Sequence, residues 1–257
     1  MTELPGGRIN KVVRIGNTVR RRPPGRPDDA RALLSHLEER GWTGAPRFLG
    51  VDNEGRQMLT YVPGWAPLPT LALRPAENQV TPPGVLSDES LVGVAKLVRE
   101  FHDLTAGTPL ADDQETLCHN DLCPNNTVFR DTGDGTYRPV AFIDWDDSTP
   151  GPRIHDVADI CWAYPAARFA PDRPEPRTLG RLMRLMCDAY GLADRSELIA
   201  TVLARHDQTW RGIADLADAG HRGYQRLRDL GAVESGRASY DWTAAHRVEL
   251  ERALRDG

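Results

Sequence analysis

The chain has 257 residues, 40% of them hydrophobic and 27% charged, with a formal net charge of −5. That is the composition of a globular protein of one or two domains, and the negative balance argues against non-specific binding to nucleic acid or an anionic membrane. Four cysteines (Cys118, Cys123, Cys161, Cys187) are too few to staple such a chain and lack zinc-site spacing, and neither a signal peptide nor an 18-residue apolar run is present, so the expected setting is the cytoplasm.

The first elements in chain order are short strands around one helix. Lys11 to Ile15 and Thr18 to Arg22 flank Gly16-Asn17, which predicts a hairpin. Pro23-Pro24-Gly25 and Pro27 break the chain. Asp28 or Asp29 then caps a helix through Arg40, with Leu33, Leu34 and Leu37 as its apolar stripe and Gly41 as its stop. Phe48 to Val51 and Gln57 to Val62 read as strands joined by the turn Asp52-Asn53-Glu54-Gly55.

Pro63 to Pro83 is proline-rich and reads as a hinge or linker. Ser87 caps a helix through His102, with Leu91, Val94, Ala95 and Val98 on one face. Asn126 to Phe129 and Pro139 to Ile143, around the polar turn Asp131 to Gly135, predict a second hairpin. Helices follow at about Ile154–Ala163, Arg177–Tyr190, Ser196–Ala219 and Trp242–Arg255.

The chemistry concentrates between Cys118 and Asp156. The kinase catalytic loop runs His-Arg-Asp, four residues, then Asn, and His119, Asp121 and Asn126 stand at those spacings with Asn120 in place of the arginine. Eighteen residues after Asn126, Asp144 ends an apolar strand, where kinases place a metal-binding aspartate. A carboxylate at Asp121 is suited to accept the proton of an attacking hydroxyl. Asn126 and Asp144 offer hard oxygen donors of the kind Mg²⁺ prefers, the nucleotide phosphates and water completing its shell.

The run HNDLCPNN followed by AFIDWDDSTPGPRIHDVAD resembles the aminoglycoside phosphotransferase family, a branch of the kinase superfamily. The matching positions are His119, Asp121, Asn126, Ile143-Asp144-Trp145, Gly151, Asp156 and Ala158. The resemblance implies an α+β, two-lobed protein-kinase-like fold. Its small sheet-plus-helix lobe would span residues 1–61 and its larger, mainly helical lobe residues 62–257. It also implies ATP and Mg²⁺ as cofactors and a small-molecule hydroxyl as acceptor, an aminoglycoside or related antibiotic being one candidate. Asp121 would be the catalytic base and Asn126 and Asp144 the magnesium ligands. Thr60, Tyr61 and Val62 would be the adenine-binding hinge, with His119 supporting the loop. Asp156 would brace the catalytic loop, or serve simply as a carboxylate at a helix start; Asp146 would assist the metal or face solvent.

The sequence departs from the kinase pattern in its first lobe. Kinases set a strand lysine on the ATP phosphates and pair it with a helix glutamate. Here Arg20, Arg21 and Arg22 stand where the lysine belongs, and strand alternation puts Arg21 on the face opposite the other two. Arg21 is the candidate phosphate ligand, against a reading of the tract as a solvated basic strand. The helix offers Ala30, Arg31 and Ala32 where the glutamate would sit, and Gly6-Gly7 is all that remains of a glycine-rich loop. These departures motivate one alternative, a nucleotide-binding pseudokinase with a scaffold or sensing role. A protein kinase is disfavoured by the absence of an Ala-Pro-Glu element after Asp144. Nothing in the sequence sets the oligomeric state.

Overall fold

The structure, a computed structural model, describes residues 2–4, 12–23, 25–67, 80–170 and 172–255. Lys11, Gly6, Gly7 and most of the proline-rich stretch lie outside the described residues. Strands β1 (Thr2–Glu3), β2 (Val12–Ile15), β3 (Thr18–Arg21), β4 (Phe48–Val51) and β5 (Gln57–Thr60) form one antiparallel sheet in the order β1-β2-β3-β5-β4. Gly16 turns the β2–β3 hairpin with φ +60°, a conformation open to glycine. Helix α1 (Pro27–Glu39) buries Leu33, Leu34 and Leu37.

Its start differs from expectation. Pro27 opens the helix at its first turn, so Asp28 and Asp29 fall inside that turn, beside the unpaired amides. They pair with Arg31 at 3.1 Å and Arg26 at 3.8 Å respectively.

The chain leaves β5 two residues earlier than the apolar pattern suggests and turns at Gly64 onto the second lobe. There Trp65 exchanges backbone hydrogen bonds of 2.7 Å with Phe129 in both directions. Gly64 has φ +155°, and a side chain there would meet the Phe129 carbonyl oxygen and Val128 Cγ1, each at 2.5 Å. Gly64→Ala is therefore expected to cost at least about 1–3 kcal/mol from backbone strain alone, read as a lowered midpoint in urea unfolding.

The second lobe is built on helix α2 (Asp88–Thr105), which Ser87 caps by accepting from the Ser90 amide at 3.3 Å. Leu91, Val94, Ala95, Val98 and Phe101 are all fully buried, between hairpin β7 (Thr127–Asp131)/β8 (Tyr137–Phe142) and helices α3 (Ile154–Phe169) and α4 (Pro176–Tyr190). Two short strands, β6 (Thr116–Cys118) and β9 (Thr149–Gly151), pair antiparallel. Helices α5 (Leu198–Asp218), α6 (Arg222–Asp229), α7 (Ala232–Ala245) and α8 (Arg247–Arg255) complete the chain.

The helix expected over Trp242–Arg255 is two helices that meet at His246 (φ −107°), and α6 was not foreseen. That short helix offers only Tyr224 and Leu227 as apolar positions, a pair too brief for a helical period to stand out in the sequence. Among the described residues no helix is long and apolar enough to cross a membrane.

Candidate active site

The pairing of β6 with β9 sets Cys118 opposite Thr149, which lays the two loops carrying Asp121 and Asp144 side by side. The first loop is held from below by Asp156, in the first turn of α3 and fully buried. Its two oxygens accept the amide hydrogens of His119 at 2.7 Å and Asn120 at 2.9 Å, and His102 Nε2 donates to it at 3.0 Å. Asn120 takes a left-handed φ of +65° there. Its side-chain amide donates to the Asp147 carbonyl at 3.1 Å and to Thr149 Oγ1 at 2.9 Å, stitching the loops together.

His119 is buried, shares a hydrogen bond with the Ile143 carbonyl at 3.1 Å and lies 4.5 Å from the Trp145 ring, centroid to centroid. Burial holds its pKa below the ordinary value, the charge of Asp156 opposing, so it sits as a neutral support. Trp145 packs in the core against Phe101, 4.8 Å between ring centroids.

Asp121 is accessible to solvent where it lines a small cavity, yet protein atoms crowd it on its other sides. Burial first, then the like charges of Asp144 and Asp147, push its pKa up to about 7, against a lowering hydrogen bond from Asn126. Asn126, closing a 3-10 turn (Pro124–Asn126), donates its amide to Asp121 Oδ2 at 2.6 Å and to the Asp121 carbonyl at 2.9 Å. Asp144 follows β8 with a left-handed φ of +66°. Such a conformation in a residue other than glycine is uncommon, and aspartate is among those that tolerate it. The Ile143 amide, one residue before, bonds the Asn126 carbonyl at 2.9 Å, which fixes the spacing of the two candidate metal ligands.

A cleft of about 340 Å³ joins the sheet to these loops. Val12, Val19, Leu59, Val128 and Ile143 give it apolar walls; Arg21, Asn126 and Asp144 line its polar end, and Thr60, Tyr61 and Val62 its far edge. Two amides of that edge are already committed: Thr60 N–H to the Arg47 carbonyl at 2.9 Å and Tyr61 N–H to the Asn17 carbonyl at 2.8 Å. Of the three basic strand residues, Arg21 turns into the cleft; Arg20 lies 3.6 Å from Asp52 and Arg22 is exposed. Arg21 bonds Gln57 Oε1 through Nε at 3.0 Å, Asp144 Oδ1 through Nη1 at 2.6 Å and Asp146 through Nη2. Burial pushes the Asp146 pKa up to about 6, with the Arg21 charge opposing, so this carboxylate faces the arginine rather than open solvent.

On the other side of Asp121 lies a smaller cavity of about 150 Å³, lined by Leu122, Ala158, Trp162, Val202, Arg205 and Thr209 among others. Arg205 forms a forked pair with Asp159, 2.9 and 2.6 Å, and donates to the Asn120 carbonyl at 2.7 Å. Gln57, Asp159 and Arg205 were not foreseen from sequence. Each acts across the fold, 36 or more positions from its partner, and no local spacing marks it. Trp242 packs on Trp162 at 5.9 Å, and Trp210 lies under the guanidinium groups of Arg211 and Arg237.

The model described as the phosphotransferase enzyme family, APH, matches residues 62–230, about two thirds of the chain. The chain belongs to this family. The match covers both loops and both candidate metal positions. A trifolitoxin immunity protein from Rhizobium leguminosarum bv. trifolii is 28% identical, over 98% of this chain and 97% of that one.

Among solved structures, the ethanolamine kinase of Plasmodium vivax superposes with a TM-score of 0.58 at 12% identity, covering 97% of this chain and 83% of that one. The GDP and kanamycin complex of APH(2")-IIia gives 0.55 at 14%, covering 95% and 92%. APH(3'')-Id of Streptomyces rimosus with ADP and streptomycin gives 0.54 at 14%, covering 89% and 92%. What is shared at such identities is the fold: α+β, two-lobed and protein-kinase-like, with a small sheet-plus-helix lobe and a larger, mainly helical one.

Proposed function

We propose that this family member is a small-molecule kinase that moves the γ-phosphate of ATP to a hydroxyl, with the nucleotide in the larger cleft and the acceptor in the smaller cavity. The observation that carries the reading is where the two meet. Asp121 lines the acceptor cavity, while Asn126, hydrogen-bonded to it, and Asp144 line the nucleotide cleft. In-line transfer needs that arrangement, a base on one side and phosphate-facing ligands on the other. The lobes divide at residues 1–61 and 62–257, so the cleft falls on their boundary.

The apolar walls suit an adenine ring. Because the Thr60 and Tyr61 amides are engaged within the small lobe, the base would meet the Tyr61 carbonyl and the Val62 amide. The donor set fits magnesium: the Asn126 amide nitrogen is turned to Asp121, which leaves its carbonyl oxygen for a cation beside the Asp144 carboxylate. Mg²⁺ bound there would neutralise charge on the phosphates. Asp121 orients the acceptor hydroxyl and takes its proton, and Arg21 adds a second positive charge at the phosphate end of the cleft.

The family, the complexes with kanamycin and streptomycin and the toxin-immunity relative keep aminoglycosides and related antibiotics as candidate acceptors. The acceptor cavity tempers that choice. Its Asp159 is already balanced by Arg205, so among the described lining residues a polycation finds only Asp121 without a cationic partner. Acceptors of low charge therefore belong in the same screen. The pseudokinase reading rests on the arginine in place of lysine, and the convergence of Asp121, Asn126 and Asp144 speaks against it.

The test is titration with ATP and Mg²⁺, followed by thermal shift and calorimetry. Ligand at about a hundred times its Kd should stabilise the wild type by about 2.7 kcal/mol, and Asp144→Ala should lose the magnesium-dependent part. A wild type that responds to no nucleotide would overturn the proposal.

A further inference from the structure

We infer that Gln57 is the positioning residue for the Arg21 guanidinium, taking the place that a helix glutamate holds in kinases with a strand lysine. The inference rests on the proposed nucleotide site and goes beyond it in assigning how that site's small-lobe cation is held. Gln57 stands directly opposite Arg21 in the β3–β5 register and is 2% exposed. Its side-chain oxygen accepts from Arg21 Nε at 3.0 Å.

The guanidinium is planar, so a bond at Nε fixes the plane and the directions in which Nη1 and Nη2 point. Those two atoms meet Asp144 and Asp146, the carboxylates at the phosphate end of the cleft. Helix α1 cannot do this work. All four of its acidic residues, Asp28, Asp29, Glu38 and Glu39, are exposed, and Asp28 and Asp29 pair with Arg31 and Arg26.

The choice of an amide has a physical consequence. A glutamate neutralises the cation that it orients, whereas Gln57 orients Arg21 and leaves its charge to the cleft. A long arginine side chain loses much rotamer freedom when it is fixed, and an anchor built into the sheet removes that cost before ligand arrives. The described side-chain hydrogen bond of Gln57 is to Arg21, so the role assigned to it is exerted through that residue.

A double-mutant cycle on nucleotide affinity tests this. Calorimetry of ATP and ADP, each with and without Mg²⁺, is run on wild type, Gln57→Leu, Arg21→Lys and the double variant. A lost hydrogen bond to a charged group corresponds to about a tenfold or greater rise in Kd, and that rise is expected for each single variant. If Gln57 acts through Arg21, the double variant is no weaker than about twice the weaker single, far short of the product of the two. Gln57→Glu keeps an acceptor for Nε but offsets the Arg21 charge, so its Kd is expected to lie between those of wild type and Gln57→Leu. Acceptor KM should not move in Gln57→Leu.

Wild-type affinity in Gln57→Leu, or multiplicative losses in the double variant, would overturn the inference while leaving the nucleotide site intact. Should Gln57→Leu fail to fold, the comparison of Arg21→Lys with Arg21→Lys/Gln57→Glu decides. Recovery of affinity in that pair, through a lysine–glutamate contact, supports the positioning role, and no recovery rejects it. A wild type that binds no nucleotide removes the proposed function and this inference together.

Discussion

Asp121→Asn is expected to lower kcat for phosphoryl transfer by about 10²–10⁴-fold, the usual worth of a positioned general base, with nucleotide affinity essentially kept. Asparagine preserves the shape and one carbonyl oxygen, so the Asn126 amide retains its acceptor. What disappears is the ability to hold a proton. The pH profile gives the same residue a second signature. Burial and the charges of Asp144 and Asp147 push the Asp121 pKa up to about 7 in the ligand-free protein. The base works only when ionised, so kcat/KM for the acceptor rises with pH and levels off above that value.

Magnesium near Asp144 offsets one of the two like charges, which moves the midpoint below about 7 as metal is raised. Stability runs the other way. A carboxylate whose folded pKa is raised disfavours the folded state at every pH above its unfolded value, and most fully above the folded one. Asp121→Asn should therefore melt at the same temperature as wild type or higher. A variant that keeps near-normal turnover would remove Asp121 from the base role, and one that melts well below wild type would show that its loss of activity is structural.

The parts of this site that the sequence discloses are those whose geometry is local. His119, Asp121 and Asn126 lie within eight consecutive residues, and the strand that ends at Asp144 is bounded by a readable polar turn. Strand alternation separates Arg21 from Arg20 and Arg22 without saying which face meets the cleft, and the structure turns Arg21 that way. The partners of Arg21 are another matter. Gln57 is a strand residue whose type carries no signal of its own, and its meaning comes from the register that sets it against Arg21.

Asp159 and Arg205 are likewise silent in sequence: an aspartate and an arginine 46 positions apart look like separate solvated charges until α5 packs on α3. At the hinge, the apolar residues placed the strand but not the hydrogen-bond partners. Asn17 and Arg47, both outside that strand, consume two of the three amides. Helix α6 escaped because its eight residues carry only two large apolar side chains, Tyr224 and Leu227, too few to establish a period.

The largest expected loss of stability belongs to Asp156→Ala. The fully buried carboxylate accepts three hydrogen bonds, from the His119 and Asn120 amides and from His102 Nε2, whose Nδ1 in turn meets the Tyr190 hydroxyl at 2.7 Å. Alanine leaves two backbone donors and an imidazole without their acceptor in the core, and each buried polar group left unsatisfied costs about 1–3 kcal/mol. Burial by itself would raise the Asp156 pKa. The hydrogen bond from His102 and the His119 amide outweigh it and hold the carboxyl below its ordinary value.

The sign of the linkage follows. With the folded pKa depressed, the contribution of Asp156 is present above the unfolded value of about 3.9 and is lost as pH falls through the folded one. Urea unfolding of wild type and Asp156→Ala should thus show a wide gap at pH 7 that narrows only in strong acid. Because the same carboxylate fixes the backbone entering the Asp121 loop, the fraction of the variant that stays folded should also lose turnover, while Asp156→Asn, keeping one acceptor, falls between. A gap that widens as pH falls from 7 towards 4 would mean that Asp156 is held as a neutral acid, and its grip on the loop amides would then be that of an ordinary hydrogen-bonding carbonyl rather than of a charge.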